Sequence, residues 1–420
     1  MNETKTGELP DAPKRLLELD ILRAVSILMI VFFHLPYDLG IYSNNMPIQT
    51  PLYWFATRII SLGAPFGLTL FFFLSGFAID FNNKGITSKA DIMAFFRKRA
   101  KRIYPLYWAA VALSVVIFLT LTPLVHTDVL TIIVGAPPSG VGSYNFFSTF
   151  TILLLGAQVL LYPRFIGTTG IWFIGTILIY YLLYPIIAHF GKNNVLRIIL
   201  VSVALFCGML VVYFALNVVG YAQMYTFFGS FVAGIIASKA NLLRSGALKK
   251  QIAVPCAVIL LLMEVAKVLP AVPKDVYGGA LESGLNYAFN YTTFLIWFNV
   301  EAVLVIVVAC YVAVAVAGYV AHNRTQALGK RGAALIFFIA TGSYAVFLFH
   351  QQFVRGLRLA LEKVQQITIT EVTLIVVCIG LPALFIVAFY EQRNEREIVN
   401  KLLSTIDHLW QRWRAFLYRS

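Results

Sequence analysis

The chain has 420 residues, of which 60% are hydrophobic and 12% charged, and its formal net charge is +14 at pH 7. So little charge excludes a soluble globular protein, because a surface in water needs more polar side chains. The positive balance fits basic loops that face anionic lipid, and no nucleic-acid-binding module is visible. The sequence therefore predicts an all-α, polytopic transmembrane helix bundle.

Eleven apolar segments follow one another along the chain. They lie near 19–39, 60–81, 103–121, 147–162, 171–189, 196–219, 221–238, 252–270, 292–320, 333–361 and 370–391. Most reach or approach the roughly 20 residues that a helix needs to cross the hydrocarbon core of a bilayer.

The distribution of Lys and Arg indicates how these segments are oriented. The basic stretches 84–102, 239–250, 322–331 and 391–420 are predicted to be cytoplasmic. All four fall on one side only if one segment does not cross, and the short segment 147–162 is the best candidate for an interfacial or re-entrant piece. We therefore predict about ten spanning helices, with both termini cytoplasmic.

The chain divides into three predicted parts. Residues 1–18 form a polar cytoplasmic tail without the features of a signal peptide, and residues 19–391 form the membrane domain. Residues 392–420 are predicted to form an amphipathic helix on the cytoplasmic surface of the inner or plasma membrane. The four cysteines lie in apolar runs without metal-ligand spacing, so no metal is expected.

Two ionisable residues interrupt the first apolar segment. Arg23 and His34 are eleven residues apart, which on a helix places them on one face, about 16 Å from each other. Asp20, three residues before Arg23, can pair with it on that face. One interpretation is an interfacial arginine and a histidine hydrogen-bonded within the bundle. The other is function, because ionisable groups are costly in lipid and an imidazole can take a proton from a hydroxyl.

A second motif stands just before the third apolar segment. Arg99 and Arg102 are three residues apart within a basic run and share one helix face. The ordinary interpretation is a positive-inside signal. Two guanidinium groups at that position also suit the phosphates of a cytosolic polyphosphorylated ligand.

In these two motifs the chain resembles the acyltransferase-3 family of integral membrane O-acyltransferases. The family's Arg/Lys-x10-His corresponds to Arg23 and His34, and its Arg-x-x-Arg to Arg99 and Arg102. Further segments resemble family motifs in the same order, namely FFFLSGF (71–77), RIYPLYW (102–108), WFIGTILIYYLLYP (172–185), TGSYAVFLFHQ (341–351) and the YE at 390–391. The similarity runs from about residue 16 to 391.

The resemblance implies transfer of an acyl group from cytosolic acyl-CoA, with acetyl-CoA as the expected donor, to a hydroxyl of a glycan, a lipid-linked sugar or another envelope or secreted acceptor. His34 is then the expected general base, with an acyl-histidine relay left open, and Arg23 acts with it. Arg99 and Arg102 are the expected acyl-CoA ligands. Supporting roles are expected for Asp20, Ser75, Tyr344 and His350.

One departure and one alternative accompany this expectation. Ile177 stands where many family members have a glutamate, which leaves the acceptor open. A membrane exporter or flippase for a lipid or sugar is the alternative function, although it would not need phosphate-binding arginines beside a buried histidine. The sequence does not decide between a monomer and an oligomer.

Overall fold

The computed structural model describes most of the predicted membrane domain. The described residues are 16–39, 61–83, 86, 88–121, 146–157, 172–215, 223–243, 248–268, 285–323, 327–362, 367–394 and 397. The predicted polar tail and the predicted C-terminal amphipathic helix lie almost entirely outside them. Every regular element in the described part of the chain is helical.

Twelve helices are numbered here in chain order. They are α1 (Leu17–Asp38), α2 (Ser61–Phe81), α3 (Lys89–Leu121), α4 (Phe146–Leu155), α5 (Trp172–Gly191), α6 (Val195–Ala215), α7 (Gln223–Thr226), α8 (Phe228–Lys239), α9 (Lys250–Val268), α10 (Leu285–His322), α11 (Ala327–Glu362) and α12 (Ile369–Ile375). After α12, a π-helical turn (Val376–Gly380) leads into further helix that runs to residue 394.

Six helices among the described residues are long and apolar enough to cross a membrane. They include Leu17–Pro36, Leu295–His322 and Thr370–Asn394, and a shorter apolar helix covers Pro65–Phe81. The span Val195–Val212 in α6 has only 11% of its residues buried, so its apolar surface requires lipid rather than water. This confirms a helical, multi-pass membrane protein, while the number of about ten spans and the side of each terminus stay predictions.

The first two helices form the centre of the bundle. α1 packs against α2 and α11, and α2 packs closely against α8. At the crossing of α2 and α8, a Cβ added to Gly76 would lie 1.9 Å from the carbonyl oxygen of Phe231, and one added to Gly234 would lie 2.0 Å from that of Phe73. Glycine on both helices therefore allows backbone to touch backbone.

Helix α4 is too short to cross a membrane by itself. Its ten residues extend about 15 Å, half of a hydrocarbon core about 30 Å thick. Three side chains of α3 bond its last carbonyl groups, as Tyr104 donates to Leu155 at 3.0 Å, Trp108 donates to Leu154 at 3.0 Å, and Tyr107 donates to Leu153. The bonds to Leu154 and Leu155 satisfy carbonyls that a helix end would otherwise leave unpaired in an apolar environment, whereas the Leu153 carbonyl also accepts from the Gly156 N–H at 3.0 Å.

Candidate active site

The motif residues predicted from four separate segments meet at one cavity. Arg23 of α1, Ser75 of α2, Arg99 and Arg102 of α3, and Tyr344 of α11 all line it. The cavity encloses about 710 Å³ of empty space, open solvent at its mouth included. Its remaining lining is one more polar residue and a set of apolar and aromatic ones, namely Ser343, Phe71, Leu74, Ala78, Ile103, Phe173, Ile177 and Tyr181.

Arg99 is the most deeply buried cation of this cavity. Only 7% of its surface is exposed, and its guanidinium lies 5.6 Å from the ring centres of both Phe95 and Tyr181. Its Nε is buried and has no hydrogen-bond partner within the described ranges. Burial, with a smaller contribution from neighbouring Arg102, lowers the pKa of Arg99 from its usual value, against an opposing effect of Tyr181. A guanidinium remains charged despite such a shift, so a charged donor faces a partly apolar cavity.

Asp20 and Asp80 are carboxylates that pair with cations other than Arg99. Asp20 lies 3.3 Å from Arg23, so the predicted ion pair is present. Asp80 of α2 lies 3.1 Å from Nζ of Lys239 at the end of α8, and it accepts a hydrogen bond from the Tyr184 hydroxyl at 3.3 Å. In the part of the chain that the structure describes, Arg99 has no such partner, and the arrangement therefore favours an anionic ligand at Arg99.

The histidines lie at a second place, further along α1 and α11. His34 does not line the cavity, and its ring centre is 5.2 Å from that of the buried His350. Nδ1 of His34 lies 3.0 Å from the side-chain amide nitrogen of Gln351, which in this orientation donates to it. Sequence analysis missed Gln351, although a polar residue in an apolar span is a signal that could have identified it.

The hydrogen bonds of His350 determine where its free lone pair lies. Nδ1 faces two backbone carbonyl oxygens, Val346 at 3.1 Å and Phe347 at 2.9 Å, so in the neutral ring Nδ1 carries the hydrogen and donates it. Nε2 therefore has the lone pair, and it is buried without a hydrogen-bond partner among the residues that the structure describes. A buried acceptor of this kind is complementary to a ligand that donates a hydrogen bond, such as a hydroxyl.

Three phenylalanine rings lie between the cavity and the histidines. Phe71 and Phe173 line the cavity, and the ring of Phe347 packs against both, with centre-to-centre distances of 5.1 and 4.5 Å. On its other side the Phe347 ring lies 6.1 Å from that of His350. We call these three side chains the phenyl layer.

The fold and the site together define a helical, multi-pass membrane protein with a cationic cavity and a separate histidine pair. A family model described as an acyltransferase domain matches residues 16–391, and the chain therefore belongs to the acyltransferase-3 family. No curated protein and no solved structure matches the chain. The family makes the protein a membrane acyltransferase, and the roles of individual residues stay predictions.

Proposed function

We propose that this membrane acyltransferase moves an acyl group, acetyl in the first instance, from acyl-CoA to a hydroxyl group of a glycan, a lipid-linked sugar or another envelope acceptor. The carrying observation is the buried Arg99, whose Nε has no hydrogen-bond partner among the described residues, in a cavity that Arg23 and Arg102 also line. A ligand with several phosphates supplies negative charge to Arg99.

The cavity suits the two ends of such a donor. Arg99 and Arg102 present planar guanidinium groups to phosphate oxygens, while Phe71, Phe173 and Ile177 present an apolar wall to the acyl arm. Arg102 and the neighbouring Arg97 and Lys98 are exposed, so Arg102 stands at the entrance of the cavity, whereas Arg99 is buried inside it. When bound, acyl-CoA would supply an activated carbonyl carbon with a thiolate leaving group.

His34 is the proposed general base. Gln351 orients the ring through Nδ1. The role of base requires the Gln351 amide to be turned by 180° from its orientation in the structure, so that its oxygen rather than its nitrogen faces Nδ1. The oxygen then accepts from Nδ1–H, and Nε2 of His34 is the proton acceptor. His34 then takes the proton of the acceptor hydroxyl as the oxygen bonds to the thioester carbonyl carbon. The carbon–sulfur bond breaks, an ester forms, and the proton passes to the departing thiolate.

The test is binding of acetyl-CoA to the purified protein in detergent. We expect saturable binding, and we expect Arg99→Ala/Arg102→Ala to weaken it at least about tenfold, because each bond between a charged donor and phosphate contributes roughly 1.5–3 kcal/mol. Arg97→Ala/Lys98→Ala is the matched control. It removes two exposed cations from the same run that do not line the cavity, and should change the affinity less than about threefold.

Two results would overturn the proposal. One is the absence of acetyl-CoA binding to protein that melts cooperatively and elutes as a single species. The other is an equal loss of affinity in both double variants, which would mean that a diffuse positive surface holds the ligand. The first result would favour the exporter or flippase, which needs no acyl-CoA, and the second would exclude the cavity as the donor site.

A further inference from the structure

On both α1 and α11, about two to three helical turns separate the donor cavity from the histidine pair. On α11, Ser343 lines the cavity and His350 follows seven residues later, a rise of about 10 Å. On α1, Arg23 lines the cavity and His34 follows eleven residues later, a rise of about 16 Å. An acyl group held by its phosphates at the arginines must cover this distance to react near His34.

The phenyl layer occupies that interval. Phe347 lies on α11 one turn after the cavity-lining Ser343 and one turn before His350, and its exposed fraction is 2%. Phe71 and Phe173 are 9% and 2% exposed, and their ring centres are 5.2 Å apart. The three rings therefore pack on one another and form the end wall of the donor cavity on the side of the histidines.

We infer that the phenyl layer sets the length of the acyl group that the protein accepts, with Phe347 as the main determinant. This inference rests on the proposed use of acyl-CoA. The acyl end of a donor whose phosphates lie at the arginines meets this wall from the cavity side, because the three rings lie between the arginines and the histidines. A two-carbon group fits against packed rings, whereas each additional methylene must displace a ring from its neighbours.

Phe347 is the best placed of the three rings to discriminate between acyl groups. It contacts both other rings and is also the ring nearest to His350, whereas Phe71 and Phe173 face the cavity itself. Truncation of Phe347 opens space behind the two lining rings without removing any arginine. The donor's phosphates should therefore bind as before, and only the dependence on acyl length should change.

The test compares acetyl-CoA with hexanoyl-CoA as probes of binding to the purified full chain in detergent. We expect the natural protein to bind acetyl-CoA at least about tenfold more tightly, since pockets distinguish single methylenes by roughly 10- to 200-fold. Phe347→Ala should reduce the ratio of the affinity for acetyl-CoA to that for hexanoyl-CoA at least about tenfold. Phe347→Leu, which removes less volume, should shift it in the same direction by a smaller factor.

Phe73→Ala is the matched control. Phe73 lies on α2 two residues from Phe71 and is fully buried, but it faces a different apolar cluster and does not line the cavity. Its truncation should cost comparable stability and leave the ratio unchanged. The Phe347→Leu variant keeps the test usable if Phe347→Ala does not fold.

The outcomes separate this inference from the function on which it depends. The phenyl layer does not select the acyl group if both probes bind equally to the natural protein. The same holds if the Phe347 variants keep the natural ratio of the two affinities. In either case, loss of binding in Arg99→Ala would still support the proposed donor site. If neither probe binds the folded natural protein, the use of acyl-CoA itself fails. A ratio that falls in Phe347→Leu but not in Phe73→Ala supports the inference.

Discussion

At the scale of single residues, the structure separates the arginines that we propose bind the donor from the histidine that we propose takes the proton. His34 lies outside the cavity that Arg99 lines, and the phenyl layer stands between them. We therefore expect His34→Ala to lose at least about 10²-fold in turnover while its affinity for acetyl-CoA stays within about twofold of the natural value. Turnover is measured as release of the CoA thiol in native membranes that supply the acceptor, and affinity in detergent.

Near-normal turnover of His34→Ala would exclude it as the base, and a large loss of donor affinity would mean that His34 contacts the donor. Gln351 offers a control on orientation, because it touches His34 at Nδ1. Gln351→Glu keeps an oxygen that accepts from Nδ1–H and should retain turnover within about tenfold. Gln351→Leu, similar in size but unable to hydrogen-bond, should lose more.

At the scale of helices, the tight crossing of α2 and α8 positions one wall of the site. Ser75 lines the cavity, and its neighbour Gly76 contacts the backbone of α8. The crossing therefore fixes the position of Ser75 relative to α8. We expect Gly76→Ala to lower the melting temperature in detergent strongly or to prevent folding. The added methyl would lie 1.9 Å from the Phe231 carbonyl oxygen, where neither helix can yield.

Gly208 of α6 is the matched control for this crossing. A Cβ added there would meet nothing within 4 Å, so Gly208→Ala should leave the melting temperature unchanged or raise it slightly, since alanine is the better helix former. Equal behaviour of the two variants would show that α2 and α8 do not approach as closely as the structure has them.

Much of the site could be predicted from the sequence because its polar members stand out in apolar segments. Arg23, Arg99 and Arg102 were recognised from their charge and spacing, and the structure brings them to one cavity. The phenyl layer could not be predicted. Its members are three of 34 phenylalanines, and only the packing of α2, α5 and α11 distinguishes them from the others.

The helical membrane class could likewise be predicted, because hydropathy alone determines which segments avoid water. The contacts between α3 and α4 could not be predicted. The motif RIYPLYW (102–108) was noted only because it resembles a family motif. In the structure, its side chains Tyr104, Tyr107 and Trp108 donate hydrogen bonds to the carbonyls at the end of α4. Hydropathy measures how apolar a segment is and carries no information about which hydrogen bonds allow it to stop.

At the scale of the whole molecule, helix ends that stand next to three of the basic stretches pack together. One buried apolar cluster contains Leu19 of α1, Phe77 of α2, Leu243 after α8 and Ala317 of α10, and these residues stand next to basic or chain-terminal segments. The Asp80–Lys239 pair joins the ends of α2 and α8 at the same place. This common end supports the prediction that the basic stretches share the cytoplasmic side.

A topology measurement tests this arrangement and the predicted re-entrant segment together. Accessibility tags are placed at the N-terminus, at the C-terminus and within 239–250, and a fourth near Ser139, outside the described residues and before α4. We expect the first three to report the cytoplasm and the fourth the opposite side, because α4 is about 15 Å long and its end is bonded to α3 rather than continued across. A cytoplasmic signal near Ser139 would mean that the chain crosses differently between α3 and α4. A tag within 239–250 that reports the opposite side from the N-terminus would contradict the common basic end itself.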